Sequence, residues 1–459
     1  MIGKLLQPEI KELIEKRDWN ILKEVIIDFH PSEIADIIEN IDDKDRALLF
    51  RFLPKDLAAD AFEYLNYDVQ KSLLKSFTDK EISQVLNEMS PDDRTELLED
   101  LPGPLVKKLI RLLTPEERNI AISLLGYPEQ SVGRLMTPDF ISVKTDWKIS
   151  EVLEHIRKIG REIENIETIF VTDNEGKLVD ELSIKEILLS NPDTKVSEIL
   201  KETVISLRVT DDQEKAVQMF REYDLYVIPV VNEDNYLLGI VTADDVIDVI
   251  EEEATEDVQK FGGVESLDLP YISTPLPKMV RKRAVWLVIL FIGEMLTASA
   301  MAFFEHEIAR AVVLALFIPL IISSGGNSGS QAATLVVRAL ALGEITIRDW
   351  FKIVRREIFT GLSLGVILGS IGFLRIAVWQ MVGDLYGEHW MLIGITVALA
   401  LIGVVMWGTL MGSILPIILK SFKLDPATCS APFVATLVDV TGIVIYFTFA
   451  GMILKGYLL

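Results

Sequence analysis

The pattern of apolar and polar positions changes period twice along the chain. Up to residue 130, apolar side chains recur at helical spacing in short segments such as HPSEIADIIENIDDKDRALLFRFL, LPKDLAADAFEYLNYDVQKSLLKSF, TDKEISQVLNEMSPDDRTELLEDL and LPGPLVKKLIRLLTPEERNIAISLL. Each opens on a proline or an N-capping residue, and the starts recur about every 24 residues, which predicts a superhelical array of amphipathic helices over 1–130. From 131 to 252 short β-branched runs alternate with helical segments, and the alternation occurs twice, predicting a pair of α/β modules. Residues 253–280 continue the acidic stretch VIDVIEEEATEDVQKF, whose helix should end at Gly262-Gly263 before the chain leads into the membrane part. Residues 281–459 hold five long apolar stretches, roughly 284–304, 311–337, 358–382, 390–419 and 431–454. At 1.5 Å per residue, about 20 residues cross a hydrocarbon core, so these predict an all-α bundle of five transmembrane helices.

Charge sharpens the division. The chain has 459 residues and a formal net charge of -24. Residues 1–270 carry 31 basic against 59 acidic groups, whereas 271–459 carry 14 against 10. Basic residues flank alternate ends of the spans: Arg281, Lys282 and Arg283; then Arg338, Arg348, Lys352, Arg355 and Arg356; then Lys420 and Lys423. All fall on one side, which places the N-terminus in the cytoplasm and the C-terminus outside. The opening MIGKLLQPEIKELIEKRDW is charged throughout and lacks the apolar region of a secretory signal. The lone Cys429 leaves no intrachain disulfide. No phosphate-cradling loop or nucleophilic triad spacing is found, and only four His are present, so an enzyme is not expected. Nor is a nucleic-acid partner.

Candidate chemistry lies inside the spans. ATLVDVTGIVIYF places Asp439 about 8 residues, roughly 12 Å, from the inner end of its helix, too deep for a short side chain to reach the headgroups. Such a group normally faces a bundle interior or a water path. The second stretch contains the unbroken small and polar run Ser323-Ser324-Gly325-Gly326-Asn327-Ser328-Gly329-Ser330-Gln331. Tight packing needs only one small stripe, so the run predicts a wet cavity with a loosened backbone, at a depth close to that of Asp439. Glu294 and Arg375 are further intramembrane charges, with hydrogen bonding to Thr297 and snorkelling as their ordinary explanations. A carboxylate with amides and backbone oxygens, and no Cys or His at that depth, suits a hard divalent cation.

A second acidic constellation is cytoplasmic. Asp245, Asp248, Glu252 and Asp257 recur near helical spacing beside Glu251, Glu253 and Glu256, and SPDDRTELLEDL adds Asp92, Asp93 and Glu96. Such a surface repels itself; it is either a solvated linker or a face neutralised by bound hard cations.

Two resemblances follow. The α/β modules resemble a tandem cystathionine-β-synthase (CBS) pair: the second has IPVV, then LLGIVTADDV, whose Thr242-x-x-Asp245 matches the ribose-contacting pattern, while KLVDELSIKEI in the first carries Ser183-x-x-Glu186 instead. The order of parts, with GGNSGSQ and LVDVTG in the spans, resembles the MgtE family of magnesium channels and transporters over essentially the whole chain. The resemblance implies a homodimer in the lipid bilayer of the plasma membrane that admits Mg2+ through a pore between the second and fifth spans. Asp439 of both subunits would hold hydrated Mg2+, with Gly325, Gly326 and Asn327 nearby. Cytosolic Mg2+ would close the gate by bridging Asp92, Asp93, Glu96, Asp245, Asp248, Glu253, Glu256, Asp257 and Asp425, and ATP is a candidate ligand of the CBS pair at Thr242 and Asp245. The alternatives are transport of Mn2+, Co2+ or Ca2+, or a CBS-type membrane sensor that transports nothing.

Overall fold

The computed structural model describes residues 2–161, 163, 165–201, 203–267, 269–383 and 385–458. They form two compact units, Met1–Glu253 and Ala254–Leu459.

The first half of the N-terminal unit is the expected array, ten helices among the described residues from Ile2–Lys16 to Pro115–Leu125. Local chemistry starts them. Proline occupies the first turn of Pro31–Asn40, Pro91–Asp100 and Pro115–Leu125, where its missing N–H is no loss. Thr78 and Glu81 cap the helix Asp79–Glu88 reciprocally. One face of each helix turns inward, and Ile34, Ile38, Phe62, Leu86, Leu98 and Leu109 share a continuous apolar core.

The α/β half holds two three-stranded sheets: β1 (Ser142–Lys144), β2 (Thr168–Thr172) and β3 (Leu178–Ser183), then β4 (Leu207–Arg208), β5 (Val227–Val231) and β6 (Leu237–Thr242). In each, the first strand runs parallel to the middle one, which pairs antiparallel with the last. Both even carry an irregularity at the same place in the second pairing, between Val171 and Thr172 and between Val230 and Val231. Phe170 and Leu178 of one module pack with Val227, Val231 and Ile240 of the other.

From β6 a single helix, Ala243–Phe261, runs through the acidic stretch. The acidic helix is therefore the last helix of the second module prolonged through residue 253. Its C-terminus turns at Gly263 (φ +74°).

The C-terminal unit contains the spans. Among the described residues five helices are long and apolar enough to cross a membrane: Leu276–Phe303, Ile318–Ala341, Trp350–Gly383, Trp390–Ser421 and Ala431–Leu454. The fourth packs against the second, third and fifth, while the first rests mainly on the fifth. Glycine sets several of these contacts. A Cβ at Gly365 or Gly369 of the third span would lie 2.8 Å from the backbone of Ile402 or Ala398 in the fourth. The first span starts at Leu276, so Arg281 to Arg283 stand in its second turn rather than ahead of it.

Candidate functional site

The polar run of the second span is not loosened. Helix Ile318–Ala341 passes through residues 323–331 without a break, and this corrects the expectation. The reason lies in the fourth span: a Cβ on Gly408 or Gly412 would strike the carbonyl oxygens of Gly325 and Gly329. The two backbones approach at two points one turn apart, as small residues permit. Gly325 also faces Val404 and Val438, so it is a packing residue in this geometry.

The neighbouring face is different. A Cβ on Gly326 would sit 3.4 Å from that of Ala435 and 4.0 Å from Oδ1 of Asp439, which brings the run and the buried carboxylate to one level. Asp439 is half-buried, whereas Asn327 and Ser323 on the same helix as Gly326 are exposed. Glu294 belongs here too: its charge acts on Asp439, and Gly293 beside it packs on Thr436 of the fifth span. The expected bond from Thr297 is absent, because the buried Thr297 Oγ1 has no hydrogen-bond partner among the described residues. Arg375 lies 5.7 Å from the ring centres of both Phe317 and Trp379, a cation–π setting rather than an ion pair.

The entry to the fifth span is fastened twice. Ser430 caps it, accepting from the N–H of Phe433 at 3.3 Å, and also accepts from Trp286 Nε1 of the first span at 2.9 Å. Gly263 must be glycine here, since its positive φ is joined by a Trp286 ring carbon 2.6 Å from where a Cβ would be. Just upstream, Asp425 caps the short turn Pro426–Thr428 and accepts from Lys260 Nζ at 2.8 Å. Lys260 also pairs with Glu256 at 2.5 Å. Burial alone would lower the Lys260 pKa, but its bonds to Asp425 and Glu256 prevail and hold it above the usual lysine value. Asp257 is half-buried on the same helix.

In the N-terminal unit the predicted carboxylates meet where helix Pro91–Asp100 comes close to the start of helix Ala243–Phe261. Burial and the charge of Asp92 push Asp245 well up. Burial raises Asp93 and Asp248, with the charge of Asp244 acting on each. Burial, then Asp93 and Asp248, push Glu96 up to about 7. Glu253 accepts from Gln213 Nε2 at 2.7 Å. The structure adds Glu63, pushed up to about 8 by burial and by Asp93. Glu63 also accepts from the N–H of Ser90 at 3.1 Å. No motif marks Glu63; it ends the separate helix Lys55–Glu63 and meets the others only through the fold. Among the described residues no three of these carboxylates converge closely enough to chelate an ion by themselves. They form a repelling surface rather than a preformed cage.

The nucleotide pattern has a local function as well. Thr242 Oγ1 donates to Asp245 Oδ2 at 2.5 Å and the Thr242 N–H reaches the same oxygen at 3.1 Å. Ser183 and Glu186 stand at the matching place in the first module and form a full reciprocal capping box.

Comparison with known proteins agrees with this organisation. Residues 318–449 match the MgtE divalent cation transporter family, 29–130 the MgtE intracellular N domain, and 132–191 and 196–252 the CBS domain. A magnesium transporter MgtE of Thermus thermophilus is 36% identical over 454 residues, spanning 98% of this chain and 99% of its own. The chain belongs to the MgtE family. An MgtE of Enterococcus faecalis is 33% identical, spanning 97% of this chain and 96% of its own. Two crystal structures match about half of the chain. The soluble part of a magnesium transporter is 31% identical with TM-score 0.52, covering 55% of this chain and 99% of that one. The cytosolic domain of the Mg2+ channel MgtE in complex with ATP is 32% identical with TM-score 0.51, covering 53% and 100%.

Proposed function

We propose that this MgtE protein is a magnesium-selective channel or transporter that admits Mg2+ to the cytoplasm and is closed by cytosolic Mg2+. The observation that carries it is Asp439 set against the side-chain-free face of Gly326 in the middle of a spanning bundle. Mg2+ gives up its water reluctantly, so an ion held through its hydration shell needs few protein ligands and some width beside them. Gly326 puts no side chain in front of Asp439. Asn327 and Ser323 on the same helix are exposed, and polar groups at membrane depth belong against protein or water. A second copy on that side would enclose two Asp439 carboxylates, which supports a homodimer. The basic ends of the spans support a cytoplasmic N-terminus and an external C-terminus.

Closure follows from the acidic surface. Bound Mg2+ cancels the repulsion among Glu63, Asp92, Asp93, Glu96, Asp245 and Asp248 and favours the packed arrangement over a separated one. Lys260 already serves as counter-ion between Glu256 and Asp425, so divalent sensing falls chiefly to the first group. ATP at the CBS pair, next to Thr242 and Asp245, fits the solved ATP complex of the related cytosolic domain.

The test is uptake by magnesium-starved cells expressing the Asp439→Ala and Asp439→Asn variants. Uptake should vanish; undiminished uptake sinks the pore assignment. The family description names divalent cations in general, so flux into liposomes with Mn2+, Co2+ and Ca2+ as competitors decides selectivity. Absence of all flux from purified protein would leave a sensor.

A further inference from the structure

Where helix Ala243–Phe261 gives way to the first span, a cavity of about 590 Å³ opens within the C-terminal unit. That is the size of an ordinary small-ligand site. Val264, Leu267, Leu269 and Met279 give it apolar walls, Tyr271 flanks it, and Arg283 supplies its one cationic group. Among the described residues no carboxylate lines it, and none pairs with Arg283. Nearby Lys282, by contrast, is used inward, on the carbonyl of Ser266.

Position narrows the ligand. Arg283 is in the second turn of a helix that starts at Leu276 and crosses the membrane, one of four basic residues between 278 and 283. Such a run beside a span attracts anionic lipid. Tyr271 of the lining and Leu276, where the span's helix begins, are 73% and 75% exposed, as aromatic and apolar groups are at a bilayer surface. A soluble anion would satisfy Arg283 and leave the apolar wall wet; an uncharged apolar ligand would leave the guanidinium unanswered. A phospholipid with a negative headgroup meets both demands. We propose that this cavity is a binding site for one anionic phospholipid, its phosphate on Arg283 and the start of an acyl chain along Leu269 and Met279. Thr255 and Gln259 of the acidic helix form the far wall, and Gln259 Oε1 accepts from the N–H of Leu267 at 2.7 Å. A lipid held there braces the end of that helix two turns or less from Lys260.

The experiment is native mass spectrometry of the full-length protein in detergent, offered phosphatidylglycerol or phosphatidylcholine. The reading is lipid mass rather than ion flux, so its failure is distinct from failure of the transport assignment. Phosphatidylglycerol should be retained in preference to phosphatidylcholine, and Arg283→Gln should reduce its occupancy about fivefold, the worth of one basic residue at an anionic surface. Met279→Trp, which fills the cavity without touching charge, should reduce it as well. Arg281→Gln removes the same charge from outside the lining and should reduce retention clearly less than Arg283→Gln does. Equal loss in the Arg281 and Arg283 variants, equal retention of both lipids, or full displacement by millimolar inorganic phosphate would each overturn the proposal. Should Arg283→Gln fail to fold, Met279→Trp against Arg281→Gln still decides.

Discussion

Lys260 donates from Nζ to Oδ2 of Asp425 at 2.8 Å, across 165 residues of sequence. The bond joins the last turn of the acidic helix to the loop that opens the fifth span, and Glu256 shares the same ammonium. Two carboxylates expected to need a metal already have a cation between them. Replacing Lys260 with Met leaves them facing one another. The cytosolic Mg2+ needed to halve flux should then rise roughly two- to fivefold, the range of a partly exposed ion pair. Liposome flux at graded internal Mg2+ measures it, and an unchanged midpoint would reduce the pair to ornament on the surface.

The raised carboxyls set a pH dependence. Glu63 and Glu96 are pushed up to about 8 and about 7 from an ordinary 4.5. A carboxyl with a raised pKa in the packed state holds a proton that the separated state has released, so packing gains stability at low pH. That contribution is present in full below about pH 4.5 and is lost as pH rises through about 7 and about 8. With a chelator present, protease cleavage between the helical array and the CBS pair should accelerate from pH 6 to pH 8.5. Magnesium should flatten the curve, as should Glu63→Gln with Glu96→Gln.

Glu294 should matter to permeation, since its charge reaches Asp439 from the first span. Glu294→Gln keeps the shape and removes one negative charge from the path. Flux at low external Mg2+ should fall severalfold while Asp439 still permits transport at high concentration. Equal flux at every concentration would mean that Glu294 takes no part in permeation.

Gly408 and Gly412 lie where a Cβ would strike the carbonyls of Gly325 and Gly329. Gly412→Ala should push the second and fourth spans apart and destabilise the bundle by about 1–3 kcal/mol, as overpacking does. Thermal unfolding in detergent reads this directly. Gly451→Ala, at a position with open space around it, is the control.

Much of this arrangement is written in local pattern. The repeats of the helical array, the duplicated α/β module and the five spans follow from periodicity, because each element buries one face and the period names the face. The inner ends of the spans are less legible. Apolar length stops near Ala284, but the helix begins at Leu276 because basic side chains in its first turns reach solvent without ending it. What sequence cannot show is the distant partner. GGNSGSQ read as loosened backbone because Gly408 and Gly412, which close upon it, come some 80 residues later. Thr242-x-x-Asp245 reads equally as a ribose contact and as a helix cap, and the structure shows the cap in place. Glu63 and Lys260 escaped notice for the same reason: each acquires its meaning from a neighbour that only folding supplies.

The hydroxyl of Ser430 serves two masters, the first turn of the fifth span and the indole of Trp286. It is fully buried, so an indole drawn away is not replaced by water, and the bond from the Phe433 N–H is left to hold the turn alone. A sideways slip of the first span therefore loosens one of the two bonds at the turn from which the Asp439 helix starts. The seat of the first span and the start of the Asp439 helix are thus one joint, and strain placed on either is felt by the other.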